Sequence, residues 1–268
     1  MSLLASPSLR RSLLAAAMPQ RTGRVTRLVG LRLEVEGIEA AVGDAVWVRR
    51  AHGGVLPAEV VAVQGQSLAC MPLGEQAGVR FGDLVEAAGR PLPLMVGHEL
   101  LGRVVDGLGR PIDDGPPVLD GEEVGLDGVP PHPLRREMVD RPLALGVRAI
   151  DTAIPCGRGQ RLGIFAGSGV GKSSLLSMIA RGTDAQVNVV TLIGERGREV
   201  SEFIQRDLGA EGLARSVVVV ATSDQPALVR IRAAFTGTRI AEWFRDQGND
   251  VVLMMDSLTR FAMAQREV

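Results

Sequence analysis

Residues 160–176, Gln-Arg-Leu-Gly-Ile-Phe-Ala-Gly-Ser-Gly-Val-Gly-Lys-Ser-Ser-Leu-Leu, restrict the possible folds of this chain more than any other stretch. An apolar run leads into glycines at 167, 169 and 171, and an amphipathic pattern follows from Lys172. Glycine accepts the backbone conformations that turn successive N–H groups into one concavity, and a helix opening there adds the positive end of its dipole. The pattern predicts a strand, a phosphate-binding loop and a helix in that order. The cradle comprises Ala166, Gly167, Ser168, Gly169, Val170, Gly171, Lys172, Ser173 and Ser174. Lys172 reaches β- and γ-phosphates as a point charge, and the Ser173 hydroxyl is placed to ligand Mg²⁺ bridging them. Glycine usually opens this pattern; Ala166 stands there instead and is small enough to permit the turn.

Such a loop needs a sheet behind it, and 268 residues at 46% hydrophobic content can bury one large core or two smaller ones. A net charge of −1 supplies no basic field for nucleic acid, and 3% aromatics with no Tyr leave few stacking platforms. No nucleic-acid partner is expected. Cys70 and Cys156 have no metal-ligand spacing and read as buried free thiols of a reducing compartment. His52, His98 and His132 stand apart from one another and from any carboxylate pair, so they are assigned no metal or catalytic role.

In chain order, residues 1–20 carry Leu3, Leu4, Leu9, Leu13, Leu14 and Met18 at near-helical spacing around Arg10 and Arg11. They read as a docking helix, because the apolar run after the basic pair is shorter than the core of a secretory signal. No run is long enough to span a membrane. Residues 21–90 change to short β-branched runs bounded by turn residues, at 24–29, 31–35, 45–48, 58–63 and 67–71, which predicts a small β-barrel. Glycine and proline then dominate to about residue 140, a connector with one strand near Leu100–Asp106. From 91 to 268 the pattern is α/β: after the loop come strands at 186–193, 216–221 and 251–255, separated by a helix to about Leu208 and another over 226–246. Apolar strands alternating with helices predict a parallel sheet with the ligand at the carboxyl ends of its strands.

Two acids sit at such ends. Val251 to Met255 is apolar and stops at Asp256, the arrangement that sets a carboxylate beside Mg²⁺, although an acid there also serves as an ordinary helix cap. Glu195 follows its strand directly, among Arg196, Arg198 and Glu199. It is either one more charge on a solvated turn or the carboxylate that polarises a water attacking the γ-phosphorus.

Phe165 to Ser174, Leu192 to Val200 and Met255 to Glu267 together resemble the ATPases of flagellar protein export and of the injectisome, hexameric cousins of the catalytic subunit of rotary ATP synthases. The likeness runs from about Arg21 to the end. It implies a small N-terminal β-barrel followed by a RecA-like ATPase domain, with ATP and Mg²⁺ as ligands. Glu195 matches the catalytic glutamate, Arg196 the arginine beside it, Lys172 the phosphate lysine, and Ser173 and Asp256 the Mg²⁺ shell. The implied partners are further copies in a ring, a regulatory stalk protein at the N-terminal helix, export substrates and chaperones, and a membrane export gate at the cytoplasmic face of the inner membrane. The chain stops at Val268 inside an expected helix, so the RecA-like domain reads as incomplete. The family's arginine finger, adenine-stacking aromatic and C-terminal helical domain are expected beyond it. Two rival readings remain. A non-hydrolysing nucleotide-binding subunit typically lacks a carboxylate at Glu195, and an RNA translocase needs more RNA-facing aromatics than Trp47 and Phe81.

Overall fold

The computed structural model describes residues 22–118, 121–167 and 169–268. The expected docking helix over residues 1–20 lies outside these, as does Ser168 of the loop. The chain divides into two compact units after Leu92.

The first unit is a closed barrel of six antiparallel strands: β1 (Thr22–Val29), β2 (Arg32–Glu36), β3 (Ala45–Arg49), β4 (Val55–Gln64), β5 (Ser67–Pro72) and β6 (Leu84–Ala87), in the order β1-β2-β5-β4-β3-β6. Alternation decides which side chains face inward. On β2, Leu33 and Val35 are buried while Arg32 and Glu36 face out, and Val25, Val46, Val48, Val60, Cys70 and Val85 complete the interior. Five of these strands were foreshadowed by the sequence. The sixth, only four residues long, pairs with both β1 and β3 and so removes the two free edges that a five-stranded sheet would keep.

The second unit begins with β7 (Leu94–Val96), β8 (Val104–Asp106) and β9 (Glu122–Val124), followed by β10 (Pro142–Leu143), α1 (Arg148–Ala153) and β11 (Cys156–Gly157). Then come α2 (Lys172–Gly182), β12 (Val187–Glu195) and α3 (Gly197–Glu202), which runs through a π-helical turn, Phe203–Leu208, into α4 (Gly209–Ala214). The last elements are β13 (Ser216–Thr222), α5 (Ala227–Asp246), β14 (Val251–Asp256) and α6 (Leu258–Gln265). The principal sheet is parallel, in the order β14-β12-β13-β8, while β7 pairs with β9 and β10 with β11.

Every residue of β12 except its last is buried, as expected of a parallel strand covered on both faces. Its alternate residues divide the core: Val187, Val189 and Ile193 pack with Val217, Val219, Ile240 and Phe244, and Val190 and Leu192 pack with Leu176, Ile179 and Val218. Each fully buried aliphatic contributes roughly 1.5–3 kcal/mol of burial free energy, so these two layers hold the carboxyl ends of the strands in place. On the first of these faces α5 comes unusually close. A Cβ added at Gly237 would lie 2.0 Å from Thr191 Oγ1, so the helix can approach β12 only because this residue is glycine.

The apolar run ahead of the loop does not form the expected strand. Residues 160–165 have no ladder partner, Phe165 is 98% exposed, and only Ile164 packs against the core. Among the described residues β14 pairs with β12 alone, and its Leu253 is partly exposed. Strand propensity is a fit to a pleated, half-buried surface, and without a ladder beside it the run stays irregular.

Candidate nucleotide site

The loop residues take the conformations their glycines allow. Gly169 and Gly171 have φ of +76° and +98°, in the left-handed region, and Gly171 is the N-cap of α2. No side chain caps that end and no acid occupies its first turn, so the opening N–H groups of an 11-residue helix face the loop uncompensated. Ala166, Gly167, Gly169, Val170, Gly171, Ser173 and Ser174 are exposed. A surface of backbone donors at a helix N-terminus is what a polyphosphate requires.

Lys172 opens α2 and is the only lysine in the chain; its other permanently cationic side chains are all arginines. Its Nζ donates to Asp256 Oδ1 at the end of β14, where the carboxylate is buried. The loop and the β14 strand end thus meet through one ion pair.

β12 reaches further. Leu192 lies opposite Asp256, so Glu195 stands three residues beyond that level on the neighbouring strand. The β12–β13 register slips between Ile193 and Glu195, leaving Gly194, at φ +70°, as a bulge. Bulges re-aim the side chain that follows them. Glu195 is largely buried and its pKa is pushed up to about 7, first by burial and then by a hydrogen bond shared with Glu199, against the opposing charge of Arg260. That same hydrogen bond holds Glu199 below its ordinary value. Arg196, expected beside the chemistry, is turned to solvent and leans 3.8 Å from Glu199.

The structure therefore brings Lys172, Ser173, Asp256 and Glu195 to one edge of the sheet and leaves Arg196 at its rim. Two residues join them that the sequence reading did not single out as site residues. Glu199 lies within hydrogen-bonding reach of Glu195, and its place four residues on, in the first turn of α3, was a visible signal. Arg260 reaches Gly194 and Glu195 from α6, a contact across 66 residues that no local spacing announces.

The donor set suits Mg²⁺. Among the described residues no three His, Cys, Asp or Glu side chains cluster into a metal cage. Mg²⁺ bound with phosphates needs only one or two hard protein oxygens, and Ser173 and Asp256 offer a hydroxyl and a carboxylate.

Residues 146–268 match the model of the ATP synthase alpha/beta family, nucleotide-binding domain. The chain is 49% identical over 251 residues to the flagellum-specific ATP synthase of Bacillus subtilis, covering 93% of this chain and 57% of that protein. It is 48% identical over 266 residues to the type 3 secretion system ATPase of Xanthomonas euvesicatoria, covering 99% and 60%. Among solved structures it is similar to the assembled ATPase EscN of the enteropathogenic E. coli type III secretion system, with a TM-score of 0.83 and 45% identity over 91% of this chain and 59% of that one. EscN in complex with its central stalk EscO gives a TM-score of 0.84 at 45% identity, over 91% and 60%. The chain spans somewhat more than half the length of these relatives.

Proposed function

We infer that this chain, whose residues 146–268 match the nucleotide-binding domain of the ATP synthase alpha/beta family, hydrolyses ATP with Mg²⁺ to drive protein export through a flagellar-type (type III) secretion apparatus. One observation carries the reading: adjacent parallel strands end in Glu195 and Asp256, and the lysine of the glycine loop is paired to the second of them.

In this reading the loop N–H groups and Lys172 hold the β- and γ-phosphates. A phosphate arriving at the loop draws on the same ammonium that Asp256 now holds. Ser173 and Asp256 would hold Mg²⁺, which when bound neutralises charge building on the phosphates. Glu195 orients the attacking water and takes its proton, a task suited to a carboxylate raised to about 7. Arg196 supplies positive charge at the rim.

Flagellar and injectisome relatives match at nearly equal identity, so the proposed substrate class is the unfolded export substrates, with their chaperones, that such machines share. EscN, 45% identical, has been solved assembled and in complex with its central stalk EscO. By that likeness the full-length protein works as a ring of identical copies around a stalk protein, at the cytoplasmic face of the inner membrane beside the export gate. No described helix is long and apolar enough to cross a membrane.

The test is Glu195→Gln in the full-length protein. Titration calorimetry should show Mg-ATP binding retained, while phosphate release falls by about a hundredfold or more, the contribution of a positioned general base. Turnover close to that of the parent would leave Glu195 as a structural charge and remove the reading.

A further inference from the structure

The carboxylate offered to Mg²⁺ is already held by a cation of the chain itself. Asp256 is 5% exposed at the end of β14, and Lys172 Nζ donates to its Oδ1, the one ion pair that Asp256 makes among the described residues. A carboxylate so buried strongly destabilises its surroundings when its counter-charge is taken away. Arg260, four residues on, does not stand in for the ammonium, because it is engaged with the Gly194 carbonyl and with Glu195. Lys172 has more freedom: its side chain is 31% exposed and opens the helix at which a polyphosphate would arrive.

These facts set the terms on which Asp256 changes partner. To take a divalent cation alone, Asp256 would have to release the ammonium with only the Ser173 hydroxyl beside it as a second protein oxygen, and Mg²⁺ surrenders its water reluctantly. To receive phosphates alone, Lys172 would have to leave Asp256 buried and uncompensated. Arriving together, the two ligands remove both difficulties. The ammonium passes from carboxylate to phosphate, Asp256 gains a cation in its place, and phosphate oxygens supply the ligands that the protein lacks.

We propose that Lys172 guards Asp256 against metal, so that the site refuses a free divalent cation and accepts one only together with a polyphosphate; the proposal rests on the ATPase reading above and adds the form in which its ligand enters.

The experiment uses the full-length protein and two probes: Mn²⁺ alone, followed by the electron paramagnetic resonance of the free ion, and ATP in EDTA, followed by titration calorimetry. Mn²⁺ should bind nucleotide-free Lys172→Gln at least about tenfold more tightly than nucleotide-free parent, because the variant leaves a buried carboxylate without its cation. Lys172→Gln combined with Asp256→Asn should lose that uptake, which separates this carboxylate from acids on the surface. In EDTA, Asp256→Asn should bind ATP about threefold or more tightly than the parent, since no buried charge is stranded when Lys172 turns to the phosphates. This variant removes a charge instead of orphaning one, so its arm decides the matter if Lys172→Gln does not fold. Mn²⁺ bound as tightly by nucleotide-free parent as by Lys172→Gln, or ATP binding in EDTA weakened by Asp256→Asn, would overturn the proposal. Either result in a parent that still binds Mg-ATP leaves the ATPase reading standing. A parent that binds no Mg-ATP ends that reading and this proposal with it.

Discussion

Glu195 and Glu199 share one hydrogen bond four residues apart, and the two carboxyls separate in acidity as a result. Burial, and after it the bond in which protonated Glu195 donates to an ionised Glu199, together raise Glu195 to about 7. A general base works only when ionised, so the useful form of Glu195 is present above about pH 7 and is lost as pH falls through that value. In the full-length protein kcat/KM for ATP should therefore drop on the acid side, with an apparent midpoint that belongs to the pair. Glu199→Gln removes the ionised acceptor while burial stays, so the acid limb should move to lower pH. A steady-state pH series on parent and variant checks this, and an unmoved limb would show that burial alone sets the value.

At the level of elements, the sheet edge is reliable because α5 lies so close to β12. Gly237 sits beneath Thr191, whose buried Oγ1 finds no hydrogen-bond partner among the described residues. Gly237→Ala should lower the stability of the fold by about 1–3 kcal/mol through overpacking, even though alanine favours helix. Thr191→Ala removes the atom that the new methyl would meet, so the pair of substitutions should cost less than their sum. Urea midpoints for the single and double variants provide the measurement, and strict additivity would mean that the helix shifts rather than strains. The π-helical turn Phe203–Leu208 is another departure from ideal geometry, and no residue pattern announces it, since its buried Phe203 and Leu208 fit a helical stripe equally well.

For the whole molecule, what could be read in advance followed local chemistry. The glycine spacing, the acids closing β12 and β14 and the alternation of the barrel strands each carry their cause within a few residues. Residues 160–165 have the same apolar character as a strand and form none, because a ladder is a property of neighbours and β14 offers its outer edge no partner among the described residues. Arg260 escaped notice for a related reason. Its meaning depends on a carbonyl 66 positions away, on a bulge that exists only once β12 and β13 are aligned.

Lys172 supplies the only side-chain amine in these 268 residues, and it lies in the glycine loop against Asp256. Reagents that acylate amines and spare guanidinium groups therefore have one side-chain target along this chain, and it falls where the phosphates are proposed to bind. Each molecule so labelled gains a single added mass there, aside from any on the α-amino group, and forfeits the positive charge that binding uses. Bound Mg-ATP should shield the amine, so peptide mapping after brief acylation should find Lys172 modified without nucleotide and spared with it. Equal labelling in both conditions would mean that the nucleotide does not meet this lysine. The scarcity of lysine thus makes covalent labelling at Lys172 a count of the sites left empty, with no engineered probe required.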